Sequence, residues 1–527
     1  MDRKRRLVVI AMAGGMLLIT LDFFGLTVAL PKIGEDLHAS TAALLWVVNA
    51  YLLAFAAPII AVGRLADIVG RRKVVLTGIV IFVVASAACG VAQTPAQLIV
   101  ARLVQGVGGG TIFATALSVV SNAFPADKRA SAIGLWSGIG ATGSAIGPFV
   151  AGVLTQAVSW RLFFFINVPI GIGVMILTLT VVEESKDETF TGRIDWTGFG
   201  LVTVGMVLFI LALQNSANEG FGSPLIIGSL AAGVVLLIAF AIAETRVRDP
   251  LVEFGLFRTK AFAGAAVVSF VGNWMFGAIL FFLTLYLQEV LDLKPLETGL
   301  VFLVFTVPLI AMSPITGRLV TRVGAQDLMA IGQVLMTAGI VLFVFISVDT
   351  GLALVIAGLV VSGFGQGFSF NISNSAGMDA IPDDKAGIGS GVLSFVRLMG
   401  IIVGLALSGA VFKALENDAL VSTFEKAANR TLTSADKSEI RALLSGSDAA
   451  THKLATLAPQ LHAQVEDIVN KSFVHGLRGV MILSVVACLI SIPAALWGHK
   501  RADATRRLPH LAHPMWPHLW KREPVRQ

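Results

Sequence analysis

The chain has 527 residues, 56% hydrophobic and only 14% charged, with a net charge of +6. A soluble domain carries about a quarter charged residues, so one water-soluble core is excluded. Fourteen apolar runs, each near the ~20 residues that cross a bilayer, indicate an all-α polytopic membrane protein. The basic residues are scattered at the ends of those runs, which argues against a nucleic-acid surface. Cys89 and Cys488, both inside apolar runs, give no disulfide framework.

The spans are expected at 7–30, 44–62, 74–92, 98–123, 131–155, 162–182, 196–214, 224–243, 262–287, 297–317, 328–348, 352–377, 388–412 and 479–497. The first follows Arg3, Lys4, Arg5 and Arg6. It is too long for a signal peptide and carries Asp22, so it reads as an uncleaved helix. With the N-terminus inside, most of the 39 Lys and Arg fall on inner tails and loops. The short outer loops hold only Lys32, Arg161 and Lys294. Both termini are therefore expected in the cytoplasm of a multi-pass protein of the inner membrane.

Asp22 lies within helix 1, where a carboxylate costs about 2.5–3.5 kcal/mol on insertion scales and usually has a task. A static carboxylate bonded to its neighbours is the alternative. Helix 2 presents Trp46, Asn49 and Tyr51. After it comes GRLADIVGRRK, from Gly63 through Asp67, Gly70, Arg71 and Arg72 to Lys73, a basic turn between two long apolar runs. Helix 4 carries Arg102, with Gln105, Gly109 and Phe113 following on the same face. At ~1.5 Å per residue, Asp22 and Arg102 both fall in the outer half of the membrane, within reach if their helices are neighbours. Arg102 would favour the charged carboxylate and burial would oppose it, which suits a proton switch. A fixed ion pair is the other reading. Helix 5 repeats small residues, Gly143, Gly147, Pro148 and Gly152 among them, a pattern of close helix approach.

These stretches carry a family resemblance. Gly63, Leu65, Asp67, Gly70 and Arg71 resemble the signature G-x-L-a-D-r-x-G-r-k of the major facilitator superfamily, with Ile68 where Arg is usual. Arg102, Gln105 and Gly106 resemble its R-x-x-q-G motif. LDFFGLTVALP around Asp22 resembles a drug:proton antiporter signature, although Phe24 and Thr27 depart from it. Gly143, Gly147, Pro148 and Gly152 resemble the exporter signature of helix 5. WRLFFFINVPIG, from Trp160 to Gly171, resembles a segment of the 14-helix antiporters and reads as a structural anchor for helix 6. The resemblance implies two six-helix bundles plus two inserted helices. It also implies proton-driven efflux of hydrophobic or cationic compounds, with Asp22 and Arg102 coupling the proton. Gly63, Asp67, Gly70, Arg71 and Arg72 would form a conformational gate.

An internal repeat agrees. Gly317, Arg318, Leu319 and Gly324 match Gly63, Arg64, Leu65 and Gly70 at one offset, with Thr321 for Asp67. The copies lie eight helices apart instead of six, so helices 7 and 8 are inserted between the halves. The expected organisation is an N-terminal bundle at 1–182, a linker with the inserted pair at 183–261, a C-terminal bundle at 262–497, and a tail at 498–527. In the second bundle Asn273, Trp274, Gln366, Asn371, Asn374 and Arg397 are polar or aromatic candidates for a substrate cavity. Trp46, Asn49, Gln105 and Phe113 are their counterparts in the first. Interhelical hydrogen bonding is the plainer reading for each. Asp379 and Glu289 are candidate partners for Arg397.

Residues 413–472 read as a solvated, partly helical outer loop, with docking of an outer partner as the alternative. The tail holds His510, His513 and His518, but its prolines and irregular spacing argue against a metal site. The chain shows no Walker A, H-E-x-x-H or G-x-S-x-G sequence, so no enzyme, nucleotide or cofactor is expected. Energy would come from an ion gradient. The expected partners are amphipathic small molecules, protons and the lipid bilayer. Export of one metabolite, siderophore or lipid is the rival function, followed by solute import and by a membrane scaffold without transport.

Overall fold

The computed structural model describes residues 3–56, 62, 65, 66, 68–124, 126–186, 195–219, 222–247, 250, 252–382, 386–428 and 459–498. All regular structure among them is helical. In chain order the helices are α1 (Arg3–Leu37), α2 (Thr41–Ala56), α3 (Arg71–Val91), α4 (Pro95–Ala123), α5 (Ala126–Ala157), α6 (Trp160–Val181), α7 (Trp196–Glu219), α8 (Pro224–Glu244), α9 (Lys260–Leu285), α10 (Pro295–Val323), α11 (Ala325–Val344), α12 (Leu352–Asp379), α13 (Ala386–Ala428) and α14 (Pro459–Ala495). Twelve stretches are long and apolar enough to cross a membrane, and α2 is a shorter apolar helix. In a bilayer every backbone N–H and C=O must be paired within the segment, which is why runs this apolar become helices.

Local signals set several starts. Thr94 accepts the Gln97 N–H ahead of Pro95, a capped entry into α4. Ser159 does the same for α6 through the Arg161 N–H. α6 is jointed at Ile166, between Trp160–Phe165 and Asn167–Val181. The expected loop at 413–472 is partly an extension of its flanking helices. α13 continues to Ala428 and α14 begins at Pro459, so α13 is 43 residues long, about 65 Å at the helical rise. The remainder, 429–458, lies outside the described residues, as do most of the tail, and Gly63 and Asp67 of the basic turn.

Packing follows the duplication. In the first half α1 packs on α4, α5 and α6, α2 on α4, and α3 on α4 and α6. Eight helices on, α9 packs on α12, α13 and α14, α10 on α12, and α11 on α12 and α14. Glycines mark the correspondence. A Cβ on Gly108 would meet Gly78 O and Phe82 N, and one on Gly365 would meet Gly332 O and Met336 N. Gly70 and Gly324, which open α3 and α11, have φ of 126° and 99°, a conformation that excludes most side chains. α7 and α8 pack on each other, and α7 also leans on α13 and α2, so the inserted pair lies beside the bundles.

The halves meet through α5 on α10, α2 on α13 and α1 on α9. The described contacts sit toward the end opposite the N-terminus. Leu296 donates its N–H to Gln156 Oε1 at 3.2 Å, and Gln288 Nε2 donates to Val28 O at 2.9 Å. A Cβ on Gly152 would fall 2.6 Å from Pro295 O, and one on Gly299 would fall 2.6 Å from Pro148 O. Gly143 and Gly147 face the other way and let α5 lie against Leu17, Thr20 and Leu21 of α1. Gly152→Leu should therefore pry the seam open. A cysteine at Leu296 then reacts faster with a water-soluble maleimide, against a low background because Cys89 and Cys488 are buried.

Candidate functional site

α4 brings the first half together around one charge pair. Gly106 and Gly109 admit the backbone and ring of α2 at Tyr51 and Phe55, and Gly108 admits α3 at Phe82. Arg102, one or two turns earlier, is thereby enclosed and 0% exposed. Its Nη1 donates to Asp22 Oδ2 at 2.5 Å and to Gln105 Oε1 at 2.6 Å. Its Nε donates to Val47 O at 3.3 Å, and its guanidinium lies 4.0 Å from the centre of the Tyr51 ring. Asp22 is also 0% exposed. Its Oδ1 accepts Gln105 Nε2 at 2.9 Å and Asn167 Nδ2 at 3.0 Å. Gln105 Nε2 also donates to Ser86 Oγ at 2.8 Å, and Cys89 Sγ contacts Gln105 Oε1 at 3.6 Å. Every group bonded to the carboxylate is a donor.

Five helices, α1, α2, α3, α4 and α6, thus enclose one carboxylate and one guanidinium. Five buried polar atoms nearby have no partner among the described residues: Arg102 Nη2, Asn167 Oδ1, Tyr51 Oη and both polar atoms of the Asn49 amide. Buried polar groups are rarely left unpaired, so this is the most polar and least satisfied interior of the half.

The corresponding positions of the second half carry no charge. Gly143 and Gly147 lie over Leu17 O and Leu21 O, as Gly400 and Gly404 lie over Phe270 O and Trp274. In that register Asp22 corresponds to Met275, Arg102 to Leu359 and Gln105 to Ser362, all buried. Nearer the N-terminal end, that half has a neutral cluster instead. Gln333 Nε2 donates to Ser369 Oγ at 3.1 Å, and Ser491 Oγ donates to Gln333 Oε1 at 2.7 Å.

The other expected positions are dispersed. Gln105, grouped with the cavity from its helical face, belongs to the Asp22 nest. Phe113 sits among Phe55 and Trp136, and Trp46 is half-buried. Asn273 donates to Ser269 O on its own helix, and Trp274 Nε1 donates to Ser408 Oγ at 2.9 Å. Asn374 is exposed, and the Asn371 side chain lies outside the described ones. Arg397 lies 4.2 Å over the Phe370 ring and donates to Phe370 O at 3.4 Å, a different partner from the acidic residues expected for it. Asn167, read as part of a helix anchor, and Ser86, not singled out, join the nest. The W-R…N-x-P segment held the signal for Asn167. Nothing in the sequence marked Ser86. The anchor itself is present, since Trp160 Nε1 and Arg161 Nη1 both donate to Asp36 Oδ2.

At the opposite end the basic turn holds the linker after α6. Glu184 accepts the N–H groups of Arg72 and Lys73 at 3.0 and 3.3 Å, capping α3 from outside, and a Cβ on Gly70 would fall 2.5 Å from its carboxylate. The Arg71 N–H donates to Ser185 O, and Arg72 Nη2 to Leu179 O at 2.6 Å. Lys4 pairs with Glu183 and holds its carboxyl below the usual range.

Residues 12–405 match the family profile described as Major Facilitator Superfamily. The multidrug resistance protein Stp of Mycobacterium tuberculosis (strain ATCC 25618 / H37Rv) is 32% identical, over 99% of this chain and 100% of its own. The tetracenomycin C resistance and export protein of Streptomyces glaucescens is 29% identical, over 95% and 92%. A bacterial homolog of the human lysosomal transporter Spinster, solved in an inward-facing and occupied conformation, shares the fold at a TM-score of 0.65 and 16% identity, over 94% of this chain and 97% of that one.

Three substitutions test this geometry. Arg102→Ala leaves a buried carboxylate without its counter-ion and should cost about 3–5 kcal/mol. Asp22→Asn in that background should recover most of it in thermal unfolding of the purified protein. Glu184→Ala removes an N-terminal cap worth roughly 1 kcal/mol and should speed tryptic cleavage after Lys186.

Proposed function

We propose that this chain, which belongs to the Major Facilitator Superfamily, is a proton-coupled exporter of hydrophobic, often cationic, drugs or similar toxic compounds. The observation that carries the reading is the sealed Asp22–Arg102 pair. Two apolar side chains would serve packing at least as well as a buried ion pair, so a carboxylate kept there points to a charge that changes. Asp22 takes the proton and Arg102 is its counter-ion. No cofactor or nucleotide enters the cycle, and the proton gradient supplies the energy. The relative named as a tetracenomycin C resistance and export protein supports the direction of transport, and the relative named as a multidrug resistance protein supports the class of compound.

The nest draws side chains from α3 and α6, which pack within the first half, and from α1, which also touches the second half where Phe24 meets Phe276 at 4.9 Å. Proton and substrate therefore occupy different places, and α1 and α5 link them. With both termini in the cytoplasm, the seam at Gly152 and Pro295 closes the outer face and substrate enters from the inner one. The basic turn acts as the inner latch: Asp67 and the Arg71–Arg72 pair make cytoplasmic charge contacts in one conformation and release them in the other. The expected division is a first bundle at 1–182, the inserted pair within 183–261 and a second bundle at 262–497.

A second reading, export of one specific metabolite, is favoured by the tetracenomycin relative. A panel of cationic dyes and polyketides separates the two readings, since broad dye efflux favours the drug pump. The central test uses proteoliposomes. Asp22→Asn should lower efflux driven by a pH gradient at least tenfold while leaving downhill equilibration of the substrate. Unchanged pH-driven efflux would overturn the assignment.

A further inference from the structure

Asn167 sits at the joint of α6 and is fully buried. Its Nδ2 donates to Asp22 Oδ1 at 3.0 Å, while its Oδ1 has no partner among the described residues. The other groups on the carboxylate are committed. Arg102 has no acceptor. Gln105 Oε1 already receives Arg102 Nη1 and the Cys89 thiol, and Gln105 Nε2 is shared between Asp22 and Ser86.

A protonated Asp22 has an O–H that must be donated, because a buried donor left unpaired costs about 1–3 kcal/mol. Of the groups bonded to the carboxylate, only Asn167 holds an unused acceptor. A half-turn about its Cβ–Cγ bond exchanges Nδ2 and Oδ1, two atoms of nearly equal size, without moving the backbone.

We propose that Asn167 is the positioning residue of the proton step: its amide donates to Asp22 when the carboxylate is charged and turns over to accept from it when the acid is neutral. The inference rests on Asp22 carrying the proton. In balance, one proton from water bonds to Asp22, its charge goes from −1 to 0, and Asn167 exchanges a donated hydrogen bond for an accepted one. Each state leaves one amide atom unpaired, Oδ1 in the first and Nδ2 in the second. The amide therefore has little preference of its own, and the proton selects its orientation. Arg102 loses its ionic partner but keeps Gln105 Oε1, Val47 O and the Tyr51 ring. The guanidinium thus keeps three neutral partners when the carboxylate loses its charge.

Infrared difference spectra between high and low pH, taken on the full chain in lipid, test this. Wild type should show a carboxylic C=O band that Asp22→Asn removes. Asn167→Leu, which has no acceptor, should shift that band to higher wavenumber. Asn167→Ala gives the same readout if the leucine variant fails to fold. In wild-type protein carrying 13C at the asparagine side-chain carbonyl, an amide C=O change should accompany the carboxylic band. A band unmoved by both variants, or an absent amide change, overturns the role of Asn167 and leaves Asp22 as the proton carrier. No Asp22-dependent band at all overturns the proton-carrier reading itself.

Discussion

A carboxylate and a guanidinium enclosed in a membrane bundle impose a demand that most of the first half is arranged to meet. Removing either ion from water costs several kcal/mol even after the protein relaxes, and the attraction between them offsets this only with good geometry and further hydrogen bonds. Asp22 and Arg102 have both. The glycines of α4 bring α2 and α3 close enough to supply Tyr51, Val47 and Ser86. The joint at Ile166 sets Asn167 at the same depth from α6. The close approach of α5 to α1 at Gly143 and Gly147 holds the helix that carries Asp22.

The same helix, α5, serves two interfaces. Gly143 and Gly147 pack it inside its own half, and Pro148 and Gly152 pack it across the seam. Proline removes one helical hydrogen bond at the point where the two faces change over. A shift of α1 is thus felt at the contact between the halves through a single element. At the other end, Glu184 and the open backbone at Gly70 tie the linker to α3.

Much of this was legible in the sequence. Among the described residues a helix lies on each of the fourteen apolar runs, twelve of them long and apolar enough to cross a membrane, and the offset of Gly63 and Gly317 foretold a contact pattern that repeats eight helices on. The depth of Asp22 and Arg102, estimated from helical rise alone, allowed the pair that forms. Side-chain direction was harder to read. Gln105 and Phe113 share a helical face, yet one bonds Asp22 and the other packs against Phe55. Ser86 is an ordinary serine in an apolar run, and only the fold gives it a neighbour. The reach of α13 to Ala428 escaped notice because polar residues beyond a membrane can stay helical without an apolar signal.

The neutral residues Met275, Leu359 and Ser362, standing where the first half has Asp22, Arg102 and Gln105, have an electrical consequence. A charge carried across the whole membrane field is worth about 2.3 kcal/mol per 100 mV. While Asp22 is ionised the nest is nearly neutral and voltage has little grip on it. In the proposed proton step Arg102 would be left as an unbalanced positive charge, and these three positions offer the second bundle nothing to match it. In the proposed cycle the membrane potential would then act on this site through Arg102 of the first bundle alone.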